Sequence, residues 1–350
     1  MRIKRAILII FIFICSLLPQ QKPHRVGTTA ANFLEIGMAS SAVGMGDAYV
    51  SVGNDVSSIY WNPAGLAFLT GREAIFCYQP WLVDIDIIFV AGAVNLPLLG
   101  TFALAATQIN YGDIPVTTVK YEDGTGEVYT ANEYAIGLSY ARKLATWFSF
   151  GATAKLISSQ IWHCIGNSVA LDLGAIVNTG FFSLSGERED GLNIGMSISN
   201  YGTKMKYDGI DLLNTIDILP DEAGNYGDAQ GKFDTESWEL PLISRIGISY
   251  RPIVSSYHNL IIAADAIHPN NNAEYINIGT QYELKIFRIG SIFLRAGYKG
   301  IFMPYSVYGL TSGFGLRIRM PRNTFLLVDY AYRDMNILGK YNVYTVKFSF

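Results

Sequence analysis

The last ten residues, Tyr341-Asn342-Val343-Tyr344-Thr345-Val346-Lys347-Phe348-Ser349-Phe350, decide the reading of the chain. Counting back by twos gives Phe350, Phe348, Val346 and Tyr344, all apolar. The intervening set, Ser349, Lys347, Thr345, Val343 and Tyr341, is mostly polar. Successive side chains of a strand point to opposite faces, so this is a ribbon with one apolar and one wetter side. Alone it fits the edge strand of a soluble β-sandwich as well as it fits a strand in lipid. The rest of the chain separates the two.

The 350 residues make one large domain or two ordinary ones. Only 16% are charged and the mean hydropathy is +0.23, yet beyond the N-terminus no apolar run approaches the ~20 residues of a spanning helix. High hydropathy without long apolar runs is expected of a transmembrane barrel, where lipid-facing residues alternate with lumen-facing ones. The 22 tyrosines suit membrane interfaces, and the 34 glycines suit tight turns and crowded lumens. A net charge of -3 without a basic run after the N-terminus gives no electrostatic footprint for nucleic acid. Arg2, Lys4 and Arg5 followed by apolar Ala6 to Leu18 read as a signal peptide over about residues 1–25, cleaved between Pro19 and Ala31. Ile14 is too bulky to make Cys15 a lipidation site, and Cys77 and Cys164 form no disulfide framework.

Residues 71–350 read as a ladder of strands near 73–81, 86–97, 100–110, 131–142, 146–158, 166–178, 191–199, 240–251, 258–267, 273–283, 289–298, 306–319, 324–333 and 341–350. That is about fourteen, an even number, as bacterial barrels need. Tyr134, Ile136, Leu138 and Tyr140 alternate with Glu133, Ala135, Gly137 and Ser139. Tyr308, Leu310, Phe314, Leu316 and Ile318 alternate with glycines, Thr311, Arg317 and Arg319. A charge facing lipid at mid-membrane costs about 2–4 kcal/mol, so the small and charged set is assigned to the lumen. Ile87 to Leu96 is apolar on both faces, so its inner face is expected to pack on a plug or line a greasy lumen. The third and seventh connections, about 111–130 and 200–239, are the longest and both odd, which fits long outer loops; the sixth, 178–191, is long for a periplasmic turn. No segment after residue 70 keeps a helical period for three turns, which excludes an α/β fold. A soluble sandwich or propeller would have strands of 5–6 residues, shorter than these.

Residues 32–70 are different: small residues dominate and alternation is poor. Asp55 is placed to cap a helix over Val56 to Trp61, and Asn62-Pro63 ends it before a turn at Pro63-Ala64-Gly65. The run Asn54-Asp55-Val56-Ser57-Ser58-Ile59-Tyr60-Trp61-Asn62-Pro63-Ala64-Gly65-Leu66-Ala67, with Gly44-Met45-Gly46-Asp47-Ala48 before it, resembles the N-terminal segment of the PorV/PorQ family, part of the wider FadL-like group. Arg295 to Lys299, Gly309 to Arg317 and Val328 to Tyr332 resemble that family's C-terminal strands. The resemblance implies an all-β transmembrane antiparallel barrel of about 14 strands with residues 32–70 as a plug in its lumen. It makes Asn54, Asp55, Asn62, Pro63, Ala64, Gly65 and Leu66 structural determinants of that plug. The ending in alternating aromatics resembles the final strands of outer-membrane barrels, which implies that Tyr344, Val346, Phe348 and Phe350 are read by the barrel assembly machinery.

Signs of catalysis and metal binding are sparse. His24, His163, His258 and His268 are scattered, and His163-Cys164 has no matching ligand pair nearby. Gly44-Met45-Gly46 lacks the third glycine of a dinucleotide site. His268 near a rim before Pro269 reads as a turn and not as part of a lipase. Glu122, Asp123 and Glu127, and Asp221, Glu222, Asp228 and Asp234, match no calcium loop and read as solvated acids. No enzyme, cofactor or metal is expected. Two roles remain, each implied by the resemblance. One is protein secretion of type IX kind, with Leu212–Trp238 and the third loop facing secretion proteins and their substrates. The other is FadL-like uptake of a hydrophobic ligand such as a long-chain fatty acid. Both place the exported protein in the outer membrane, in contact with its lipid.

Overall fold

Alternation of apolar and small residues gives each strand a lipid-side and a lumen-side face, and such a sheet is stable in a membrane only when its edges join. The computed structural model describes residues 25–83, 85–219, 221, 227 and 229–350. The expected signal peptide up to residue 24, Cys15, His24, Glu222 and Asp228 lie outside the described residues.

The first seven long strands are β1 (Arg72–Pro80), β2 (Asp86–Leu96), β3 (Gly100–Pro115), β4 (Val128–Ala145), β5 (Phe148–Ile161), β6 (Cys164–Asn178) and β7 (Asn193–Gly202). The connection after β7 carries three short strands, β8 (Tyr207–Gly209), β9 (Leu213–Ile216) and β10 (Ala229–Lys232). Seven more long strands follow: β11 (Ile243–Val254), β12 (His258–Pro269), β13 (Tyr275–Ile286), β14 (Gly290–Ile301), β15 (Leu310–Arg319), β16 (Phe325–Asp334) and β17 (Lys340–Ser349). Each long strand is antiparallel to its neighbours, and β1 pairs with β17, so fourteen strands close into a barrel. The closing seam runs from Tyr78 opposite Tyr344 to Glu73 opposite Ser349. Beyond it Phe350 N donates to the Arg72 carbonyl at 2.8 Å. Closure leaves the barrel without an exposed edge.

Tyr344, Val346, Phe348 and Phe350 lie on the outer face, while Tyr341, Val343 and Thr345 are buried inside. Tyr134 to Tyr140 repeats the pattern, with Ala135 and Ser139 turned in. Five connections at the end that holds Phe350 are short: 97–99, 146–147, 255–257, 287–289 and 320–324. The sixth, 179–192, stays long there. It is fastened by Asp190 to Arg251 at 2.7 Å and Glu189 to Lys143 at 2.8 Å. β7 begins opposite Ser249, so the last residues of β11 have no strand partner on that side, and this loop covers them. The opposite end carries the 40-residue connection 203–242, which long outer loops lead one to expect.

Three local readings are corrected. Tyr308 precedes β15 instead of lying in it, and its ring sits 4.1 Å from the Lys299 ammonium beside a register shift between β13 and β14. β3 and β4 climb past their expected ends, to Pro115 and from Val128, and shorten the third connection to 116–127. The helix expected over 56–61 is one turn, Ser58–Trp61, because Asp55 Oδ1 accepts from Ser57 N at 3.0 Å and holds the preceding residues in a turn of their own.

Candidate functional site

The bore is the candidate site, and the residues ahead of β1 occupy it. Small side chains let this segment run close to a wall that is itself bare at chosen points. Gly151 stands opposite Gly174, Gly195 opposite Gly247, and Gly279 opposite Gly297. A methyl group at Gly151 or Gly174 would run into Asn62-Pro63-Ala64, at Gly195 into Val50, and at Gly279 or Gly297 into Met45. Glycine is used here for close backbone approach. Residues 30–69 are buried almost throughout, and Met38, Val43, Met45, Val56 and Leu66 are fully enclosed.

The segment starts at the end with long connections. Ala30 N donates to Glu239 O at 2.9 Å, and Asn271 Nδ2 donates to Thr29 Oγ1 at 2.9 Å and Glu35 Oε1 at 2.6 Å. The segment reaches the other end near Gly71, whose carbonyl accepts from Asn95 N at 2.9 Å.

Buried ion pairs pin it between those points. Asp47 Oδ2 meets Lys299 Nζ at 2.7 Å, and its Oδ1 receives the Arg333 guanidinium. Asp55 Oδ2 meets Lys347 Nζ at 2.7 Å. Asp265 Oδ2 accepts from Tyr49 N at 2.7 Å and Val50 N at 2.9 Å. Ser40 N donates to Thr345 Oγ1 at 2.9 Å. Of these anchors only Asp55 is among the residues singled out from sequence. Lys299 and Arg333 fall on inward faces of strands, where a charge needs a partner, but only closure of the barrel shows that Asp47 supplies it.

Asn62 Nδ2 donates to Val50 O at 2.8 Å and Ala175 O at 3.1 Å, and its Oδ1 accepts from Ala64 N at 3.1 Å. It thus caps the 3-10 turn Pro63–Phe68, with proline at the first position, where a missing N–H costs nothing. Gly65 packs on the Gly53 carbonyl and Ser58 with no room for a side chain. Leu66 is enclosed and Asn54 is exposed at the short-turn end. Asn62→Ala is expected to cost about 1–3 kcal/mol by leaving buried backbone groups unpaired. A urea midpoint and a small-solute leak rate both equal to the parent's would show that this turn does not hold the segment.

Ile87, Phe89, Ala91 and Ala93 on the inner face of β2 are buried in the cluster that includes Phe33, Leu34 and Tyr60. A cavity of about 30 Å³ remains there, lined by Phe33, Tyr60, Phe89, Thr153 and Lys155 among others. It is well below the roughly 300–1,000 Å³ of ordinary ligand pockets. Outside the bore, β9 and β10 form an exposed hairpin with Leu213 and Ile216 uncovered. His163 Nδ1 meets Asp211 at 2.9 Å, with Cys164 Sγ 4.0 Å from the same carboxylate, and His268 meets Glu274 at 3.1 Å. Among the described residues no three such groups gather as metal ligands.

The model of a family described as type IX secretion system protein PorV matches residues 19–219. No curated protein matches. The toluene transporter TodX of P. putida superimposes with a TM-score of 0.57 at 10% identity, over 89% of this chain and 98% of that one. The monoaromatic hydrocarbon channel CymD gives 0.55 at 10%, over 90% and 98%. A Pseudomonas aeruginosa FadL homologue gives 0.52 at 11%, over 89% and 98%. At such identities these three are alike in fold.

Proposed function

The chain belongs to the family of the type IX secretion system protein PorV, and from that premise we propose that it is an outer-membrane barrel acting as a shuttle or scaffold in export of proteins to the cell surface. The observation that carries this reading is the occupied bore. The segment before β1 is seated against glycines of β5–β7, β11, β13 and β14 and clamped by Asp47 and Asp55, which suits a scaffold better than a conduit. The exposed β9–β10 hairpin in the 203–242 connection supports a partner-binding outer face. Residues 32–70 then act as a plug, residues 71–350 as the barrel, and secretion proteins and their substrates as partners. No chemistry is performed on the substrate in this role.

In a strain lacking this protein, surface proteins with a C-terminal sorting domain are expected to accumulate in the periplasm. Normal surface display in that strain rejects the export reading. A second reading, uptake of a hydrophobic small molecule, is favoured by the apolar inner face of β2 and the cavity beside Phe33 and Phe89. It requires the purified barrel to bind a long-chain hydrophobic ligand tightly.

A further inference from the structure

The two ends of the barrel differ in charge as well as in loop length. At the short-turn end the exposed or half-exposed basic side chains outnumber the acidic ones. Among the described residues Arg72, Arg142, Arg188, Arg288, Arg319 and Arg322 have no acidic partner within 4 Å, whereas Lys143 and Arg251 are paired with the 179–192 loop. At the long-loop end the balance reverses, with fourteen carboxylates against six basic side chains among the described residues. The basic end also carries large apolar side chains at its turn tips: Leu98, Trp147, Phe181, Phe182, Phe287 and Ile289 are all exposed.

The placement of these groups identifies the occupant. The arginines are spread around the circumference, on β1, β4, the loop after β6, and the turns after β13 and β15, instead of forming one patch. The apolar tips are interleaved with them. Phe182 packs edge-on against Tyr250, which belongs to the outward face of β11, so the loop's aromatic end continues the lipid-side belt. Arg288 lies over the Phe287 ring. Aromatics at headgroup depth with cations reaching past them match an anionic bilayer surface. Cations and apolar tips distributed around the whole rim fit a bilayer surface that encircles the barrel.

We propose that this rim is a binding surface for anionic phospholipid headgroups of the periplasmic leaflet. The cations hold the phosphates, the apolar tips lie among the first methylenes, and the loop 179–192 is the part of the rim ordered for the purpose by its two ion pairs. This inference rests on the barrel standing in a membrane and is independent of what the protein exports.

The test uses the full barrel reconstituted in phosphatidylcholine vesicles carrying spin-labelled phosphatidylglycerol or spin-labelled phosphatidylcholine. The labelled phosphatidylglycerol is expected to enter the motionally restricted shell about five-fold more readily, the ratio that roughly 1 kcal/mol per contacting cation gives. The preference should fall towards unity in high salt. It should be reduced in Arg288→Gln/Arg319→Gln/Arg322→Gln, which removes three of the six unpaired arginines, and kept in the corresponding triple lysine variant, all three proteins showing the same heat-dependent gel migration. Equal partition of the two lipids, or a preference unchanged in the glutamine variant, overturns the proposal. So does a photo-crosslinker at position 288 that captures a protein instead of lipid in native membranes.

Discussion

Asp47→Ala should be the most damaging single truncation in the bore. It strands the Lys299 ammonium and the Arg333 guanidinium, both enclosed, without a counter-charge. Removing one partner of a buried ionic cluster costs about 3–5 kcal/mol, because the remaining charge has neither water nor a partner. Urea unfolding of the detergent-solubilised barrel should show that loss, and planar-bilayer recordings should show current through a loosened bore. Asp47→Asn, which keeps the shape but not the charge, should fall between. A variant within about 0.5 kcal/mol of the parent would mean that the clamp is not what holds the segment.

Gly297→Val is expected to have the second-largest effect, by a different route. A β-carbon at Gly297 meets the Met45 carbonyl group and the Gly46 nitrogen, which are backbone and cannot swing aside. Gly279 stands opposite, with Met45 against it too, so the wall offers no slack on either strand. Overpacking in a filled core costs about 1–3 kcal/mol when side chains can adjust; with backbone on both sides the top of that range or more is expected. The result to look for is release of residues 30–69, seen as new protease sensitivity in an otherwise folded barrel. Gly180→Val, where nothing lies within 4 Å, is the matched control. If Gly297→Val is as protease-resistant as that control, the glycine ring is not what fits the segment to the wall.

Much of the architecture can be read from the chain because one physical rule, lipid on one side and lumen on the other, repeats along every strand. Tyr134, Ile136, Leu138 and Tyr140 are outward as their spacing implies, and Phe350, Phe348, Val346 and Tyr344 make the outer face of the closing seam. The rule stops where the lipid stops. Tyr111 to Pro115 continue β3 with Gly112 and Asp113 among them, held by pairing with Val128 to Thr130 and not by apolarity. The site is less legible. Asn62 announces its capping role locally, since the bond to Ala64 N lies two residues away. Asp47 cannot, because its partners are 252 and 286 residues further on and meet it only after closure. The glycines likewise reveal their purpose only in register, when Gly279 is seen facing Gly297.

The course of residues 30 to 71, from beside Glu239 to beside Asn95, adds one more traverse to the fourteen made by the wall. Fifteen is odd. A reporter attached ahead of residue 30 and another attached after Phe350 must then sit in different compartments, whereas a plain even-stranded cylinder keeps both its ends together.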